Sequence, residues 1–224
     1  MIKKQSNQTA SLIATNNDAI TYLSMGELNE SYSLLSEAVA TLQKMIREQA
    51  PKSTPARYNF RWNDISDSHA NYVCESFLFQ RYLTVDMPRQ REIRANNLCP
   101  IGLCLILHYN LALVAHFLGI QKGEYGKSYL QEANRRYSMV SADVVLQSRQ
   151  WSSVDYTVLL MGIWNNRGCI NMELGMEEQA TYCLDLLRKL LMSTRASSNQ
   201  LPGWGYFYLN VVIMRKPRLV AAAA

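Results

Sequence analysis

Residues 110–119 read NLALVAHFLG, and the same local pattern occurs in NDAITYLSMG at 17–26 and in NRGCINMELG at 166–175. In each copy an asparagine stands two positions before a small residue, alanine or glycine, and a glycine follows seven positions after that small residue. A small residue in mid-helix lets a partner helix approach closely, and a glycine ends a helix readily because it adopts left-handed backbone angles at little steric cost. Each copy is followed by a second amphipathic segment. The pattern therefore predicts three helix-turn-helix hairpins.

The segments after the three copies supply the second helix of each hairpin. Apolar residues in these segments recur at three- and four-residue steps, which is typical of one buried helix face. We expect these helices at about 29–49, at about 125–148 and after residue 175. The apolar segment 203–214 is predicted to form a closing helix that covers the exposed end of the array, since terminal repeats are usually atypical.

The remaining stretches define the domain organisation. Residues 1–13 are polar and are expected to be a flexible N-terminus, and 215–224 are expected to be a tail. The range 14–214 is predicted to be a single helical domain, because a chain of 224 residues suits one large core.

An insert at about 51–97 interrupts the helical pattern. Within it, Tyr58, Phe60 and Trp62 alternate with Asn59 and Arg61. Farther along, Phe77, Phe79, Leu83 and Val85 alternate with Leu78, Gln80 and Thr84. Alternation with a period of two residues is typical of strands. We therefore expect one small β-hairpin-like element near 58–86, laid against the helices.

Charge and cysteine content narrow the function classes. The net charge of +5, from 23 basic and 18 acidic residues, is far from the footprint of a nucleic-acid-binding protein. The five cysteines are odd in number and form no CxxC pair, which is typical of a reducing compartment. The N-terminal sequence has no signal-peptide pattern. We expect a soluble protein of the cytoplasm or nucleus.

One stretch could be a membrane span. Residues 101–120 carry no charged side chain and are long enough to cross a bilayer. They also contain His108, Asn110 and His116, and they coincide with one copy of the repeated pattern. A central helix buried on most sides explains the stretch better than a span does.

The hairpins resemble tetratricopeptide repeats. The matching residues are Asn17, Ala19, Tyr22, Gly26 and Ala38 in the first hairpin, Asn110, Leu111, Ala112, Gly119 and Ala133 in the second, and Asn166, Gly168, Gly175 and Ala180 in the third. The layout is also similar to an uncharacterised tetratricopeptide-like family of diatoms. The resemblance implies an array of helical hairpins, an α–α superhelix. It implies neither enzyme activity nor a cofactor.

The candidate binding residues are Asn17, Asn110 and Asn166, which share one position on the first helices. In tetratricopeptide repeats that face lines a concave groove, where an asparagine can hold the backbone of an extended peptide through its donor and acceptor. Asparagines that only line a groove would contribute little to folding. The alternative is that these side chains bond neighbouring helix termini.

No catalytic or metal constellation is evident in the sequence. It has no HExxH, no GxSxG and no glycine-rich phosphate loop. Cys104, His108 and His116 stand at four- and eight-residue spacings, but they lack an acidic cluster and are expected to be core residues. His69 beside Asp67 is expected to face solvent.

Three function classes follow. We expect a non-enzymatic scaffold that binds a peptide or partner protein in a concave groove of helical repeats. The alternative is a structural subunit whose apolar surfaces a larger assembly covers. An RNA-binding helical repeat would need a continuous basic stripe, which 18 acidic residues make doubtful.

Overall fold

The fold consists of helices and one small sheet in the residues that the computed structural model describes, which are 2–48, 60–64, 81–85, 100–146, 153–194 and 204–214. The helices of this part of the chain are α1 (Ile2–Ser24), α2 (Leu28–Glu48), α3 (Pro100–Gln121), α4 (Lys127–Leu146), α5 (Ser153–Glu173), α6 (Glu177–Ser193) and α7 (Trp204–Met214). The strands are β1 (Phe60–Asp64) and β2 (Arg81–Val85). The prediction of a mostly helical protein with one small β element is confirmed.

The internal contacts of the chain divide it into two compact units. The sequence-based expectation of a single domain over 14–214 stays a prediction. Unit 1 contains α1 to α4 and both strands, and unit 2 contains α5 to α7. The division follows the packing. In unit 1, α1 packs on α2, α2 on α3 and α3 on α4, and in unit 2, α6 packs on both α5 and α7. The superhelical stacking of a tetratricopeptide array stays a prediction.

The N-terminal stretch 2–13 is helical, which corrects the expectation of a flexible segment. Thr9, Leu12 and Ile13 are buried, and Asn16 and Ile20 continue the same face at helical spacing. This face gives α1 a surface to pack on α2. Tertiary packing of such a face stabilises a helix more than the intrinsic propensity of its residues does.

The glycines of the repeated pattern play two different roles. Gly26 and Gly175 have positive φ values of 81° and 71° just after α1 and α5, as the pattern predicts. The expectation for Gly119 is wrong, because α3 continues past it to Gln121. A Cβ atom on Gly119 would clash with Leu130 of α4. Gly119 therefore permits a close approach of α4 to α3 rather than ending the helix.

Helix α3 is the centre of unit 1. It packs on α1, α2, α4 and β2, and most of its side chains are fully buried. The window Gly102–Gln121 is long and apolar enough to cross a membrane, but 89% of it is buried inside the protein. This burial fits the prediction of a central helix, because a helix that is apolar on all sides must be covered on all sides.

The two strands form an antiparallel pair in which Phe60 lies opposite Val85 and Asp64 lies opposite Arg81. Strand β2 packs on α1 and α3, as the sequence predicts for the insert. Leu83 and Val85 of β2 are buried, whereas Tyr82 and Thr84 between and beside them are half-buried. The alternating residues Leu83 and Val85 therefore lie on one face of β2, and this face packs against the helices. The other parts of 51–97 lie outside the described residues.

Unit 2 follows the predicted hairpin and closing helix. The apolar face of α6 is buried at the positions that the sequence indicates, which are Ala180, Cys183, Leu184, Leu187 and Leu191. Helix α7 packs on α5 and α6 and buries Phe207, Asn210 and Val211. The predicted tail at 215–224 lies outside the described residues.

Candidate backbone-binding site

Asn17 on α1 binds the backbone of Val85 in β2 through both ends of its carboxamide. Its Nδ2 donates to the Val85 carbonyl oxygen at 2.9 Å, and its Oδ1 accepts from the Val85 N–H at 3.2 Å. A carboxamide carries one acceptor oxygen and a donor NH₂, so it can satisfy the N–H and C=O of one extended residue together. Asn17 is half-buried beneath the strand.

Asn110 on α3 binds the backbone of Leu83 in the same way, two residues earlier in β2. The Leu83 N–H donates to Oδ1 at 2.9 Å, and Nδ2 donates to the Leu83 carbonyl oxygen at 2.7 Å. Asn110 is fully buried. Residues two apart on a strand direct their backbone groups to the same edge. The shared asparagines of the first two hairpins therefore hold successive positions on one edge of β2.

Asn16 joins the two asparagines into one network. Its Nδ2 donates to the Leu83 carbonyl oxygen at 3.2 Å and to Asn17 Oδ1 at 3.1 Å, while its Oδ1 accepts from Asn110 Nδ2 at 2.9 Å. We call Asn16, Asn17 and Asn110 the asparagine row. All its hydrogen-bonding groups are carboxamides, which carry no charge and offer both a donor and an acceptor to a backbone.

Tyr109 extends the contact to the first residue of β2. Its hydroxyl donates to the Arg81 carbonyl oxygen at 2.9 Å, and its ring meets Trp62 of β1 edge to face at a centroid distance of 5.8 Å. One edge of β2 is thus bonded to helix side chains at residues 81, 83 and 85. The backbone groups of Tyr82 and Thr84 then point to the opposite edge, where β1 pairs.

Asn166, the third predicted residue, lies in unit 2 and has a different environment. It is fully buried, and its Oδ1 accepts from Asn165 Nδ2 at 3.2 Å. Asn165 Oδ1 in turn accepts from Asn210 Nδ2 of α7 at 2.8 Å. Among the residues that the structure describes, the asparagine pair of unit 2 is therefore linked to the side chain of Asn210 on a helix.

Sequence reasoning missed Asn16, Tyr109 and Asn210. A signal was available for the first, because the chain has the doublet Asn16-Asn17 in one hairpin and Asn165-Asn166 in another. Tyr109 and Asn210 carry no comparable signal. The alternative that the shared asparagines bond helix termini does not describe Asn17 and Asn110, which bond β2.

His108 is a core residue whose two ring nitrogens face polar side chains. Its Nδ1 lies 2.9 Å from Arg136 Nη1, and the Gln43 amide nitrogen lies 3.3 Å from its Nε2. Because a guanidinium only donates, Nδ1 must accept, which keeps the ring neutral. Burial, aided by the charges of Arg136 and Arg135, lowers the pKa of His108 to about 4.

His116 is fully buried, and neither of its ring nitrogens has a hydrogen-bond partner among the residues that the structure describes. Its ring lies against Tyr137 at a centroid distance of 6.5 Å. Burial lowers the pKa of His116 to about 3. The described ranges contain no group of three side chains that could hold a metal ion, and His69 lies outside them.

Comparisons of the chain with protein-family models, with curated proteins and with solved structures find no match.

Proposed function

We propose that this protein is a non-enzymatic interaction scaffold that binds an extended peptide segment of a partner protein through the asparagine row. The observation that carries the proposal is the paired binding of Leu83 and Val85 by Asn110 and Asn17. Side chains so placed on two helices recognise any chain in the extended conformation. Main-chain hydrogen bonds of this kind are a recurrent basis of peptide recognition.

The chemistry of the row favours a peptide over a nucleic acid. Carboxamides and a tyrosine hydroxyl match the alternating donors and acceptors of a peptide edge, whereas nucleic-acid affinity depends on cationic contacts with phosphates. In the described residues the side chains that hydrogen-bond the backbone of β2 are those of the row and of Tyr109, none of which is cationic. We infer a location in the cytoplasm or nucleus, which agrees with the thiols of Cys169 and Cys183 being free of disulfides.

The test is selection of peptides from a displayed random library on the purified full chain. We expect the parent to retain a set of peptides that an Asn17→Ala variant retains less well. Asn17 is half-buried, so this variant removes one backbone clamp and leaves the core intact. The matched control is Asn29→Ala, because Asn29 is exposed on α2. Equal retention by the parent and by Asn17→Ala would contradict the proposal.

The second candidate function is that of a subunit in a larger assembly, and α7 favours it. Tyr208, Leu209, Val212 and Ile213 on this helix leave substantial apolar surface exposed. Exposed apolar patches commonly mark interaction surfaces. Sedimentation of the purified chain distinguishes the candidates, because a monodisperse monomer supports the peptide-binding scaffold and self-association or aggregation supports the subunit.

A further inference from the structure

In the described part of the chain, the hydrogen bonds that connect the helices to β2 are directed at its backbone. Leu83 and Val85 are held through their N–H and C=O groups, and Arg81 is held through its carbonyl oxygen. A backbone hydrogen bond does not distinguish one side chain from another. Any segment that lies extended beside the asparagine row can therefore make the same bonds.

Only two side chains of β2 are fully enclosed by the protein. Leu83 and Val85 are 0% and 2% exposed, whereas Arg81, Tyr82 and Thr84 are half-buried. Burying a side chain of this size contributes about 1.5–3 kcal/mol. The site should therefore select a bound segment mainly by two apolar residues that are separated by one position, as Leu83 and Val85 are.

We propose that β2 is a replaceable internal occupant, and that the asparagine row takes extended segments of partner proteins in which two apolar residues are separated by one position. This inference rests on the proposed function and names its ligand class. The incoming segment replaces β2 in its bonds to Asn16, Asn17 and Asn110. It places its two apolar side chains where Leu83 and Val85 lie.

Because β2 already occupies the asparagine row, it competes with a partner peptide and weakens the binding of that peptide. A segment tethered in the same chain acts at an effective concentration of about the millimolar range when its linkers allow binding. The parent protein is therefore expected to bind a free peptide weakly. A change that expels β2 while leaving α1 and α3 intact should strengthen binding of the peptide.

The experiment uses the full chain with Leu83→Asp and Val85→Asp together, since two carboxylates on the enclosed face disfavour the seated strand. The probe is a fluorescein-labelled, blocked peptide with the sequence QRYLTVD of residues 80–86. Anisotropy titrations should show at least about ten-fold tighter binding to this variant than to the parent. The control peptide, with aspartate at the leucine and valine positions, should not bind. Adding Asn17→Ala and Asn110→Ala to the variant should abolish binding.

A folded aspartate variant that binds the peptide no better than the parent would overturn the inference. If the variant does not fold, hydrogen exchange of the parent decides. A replaceable strand should expose the amides of Leu83 and Val85 through local opening, so they should exchange faster than that of Leu111 in the core of α3 after correction for intrinsic rates. Exchange of all three only through global unfolding would show that β2 is a permanent part of the core.

The library selection distinguishes a replaceable β2 from the more general proposal that the protein binds extended peptides. If the displayed library yields peptides without the apolar spacing, and the aspartate variant retains them no better, only the inference falls. If neither the parent nor a folded aspartate variant retains any peptide, the proposed function falls as well.

Discussion

Helices α1 in unit 1 and α5 in unit 2 each carry two adjacent asparagines, and among the described residues the pair bonds to a strand in unit 1 and to a helix in unit 2. The internal geometry of the pairs is nearly the same, with Nδ2 of the first donating to Oδ1 of the second at 3.1 Å in α1 and 3.2 Å in α5. In unit 1 the pair bonds backbone groups of Leu83 and Val85. In unit 2 it bonds the side chain of Asn210.

The difference follows from the conformation of the covering segment. An extended strand offers unpaired N–H and C=O groups on each edge at every second residue. A helix uses its backbone groups in its own hydrogen bonds, so beyond its ends it can offer only side chains. In the described contacts, the carboxamide pair therefore binds a backbone where strand β2 covers it and a side chain where helix α7 covers it.

The largest effect that we expect is that acid destabilises unit 1 and leaves the stability of unit 2 unchanged. His108 and His116 lie in unit 1, and unit 2, apart from residues 77–79, spans 153–224 without a histidine. In the folded protein the pKa is about 4 for His108 and about 3 for His116, below the ordinary value of 6.5. Protons therefore bind the unfolded chain more readily than the folded one. The free energy of unfolding consequently decreases as the pH falls below 6.5. Each histidine should cost about 2 kcal/mol at pH 5, because each pH unit is worth about 1.4 kcal/mol.

The measurement is hydrogen exchange resolved by segment at pH 7 and pH 5, corrected for intrinsic rates. We expect α3 and α4 to lose protection while α5 and α6 keep theirs. The variant His116→Leu should remove about half of the loss. Equal losses of protection in both units would contradict the assignment of the acid sensitivity to the two histidines.

Removal of a backbone-binding asparagine should cost more than removal of a side-chain-binding one. Asn110→Ala leaves the buried Leu83 N–H without its partner, and we expect a loss of about 2–3 kcal/mol. Asn165→Ala removes the acceptor of Asn210 Nδ2, and we expect about 1–2 kcal/mol. The smaller value reflects that a side chain can rotate toward another partner, whereas a backbone N–H within a strand cannot.

Urea denaturation of both variants checks this order, with Asn29→Ala as the exposed control. A larger loss for Asn165→Ala than for Asn110→Ala would show that the strand contacts are the weaker ones. The prediction also revises the sequence-based expectation that Asn110 contributes little to folding, because the structure buries it completely.

The close-contact residues of the repeated pattern should have similar effects in both units. A Cβ atom on Gly168 would lie 3.3 Å from Leu184 Cδ2, and Ala112 is fully buried in α3. Ala112→Leu and Gly168→Leu should each cost about 1–3 kcal/mol through overpacking. The exposed Lys44→Ala is the control, and thermal melting is the measurement. Equal melting temperatures for all three variants would refute the hairpin packing.

The smallest effect is expected for Asn17→Ala. Asn17 is half-buried, so water can replace part of its bonding to Val85, and we expect a loss of about 0.5–1.5 kcal/mol. Exchange of the Val85 amide should accelerate more than exchange of the Leu83 amide, which Asn110 still holds. Equal acceleration at both amides would mean that the asparagine row acts as one unit and not as two separate clamps.

Much of the local structure is readable from the chain itself. Periodicity locates the second helices, and β2 appears where aromatic and β-branched residues alternate. Gly26 and Gly175 mark the ends of two first helices. These features depend on residues close in sequence, which is why a local pattern suffices. Gly119 departs from its expected role because the chain has a second glycine, Gly123, at which the left-handed turn occurs.

The sequence by itself determined Asn17 and Asn110 as candidates for binding a backbone, because they share one position in a repeated pattern. Only the tertiary structure decided what they bind. Asn17 and Val85 are 68 positions apart, and Asn110 is 94 positions from Asn16. No local periodicity relates such distant residues. Their meeting depends on how α1, α3 and β2 pack, and that packing is set by the burial of the whole apolar surface of unit 1 rather than by any one segment.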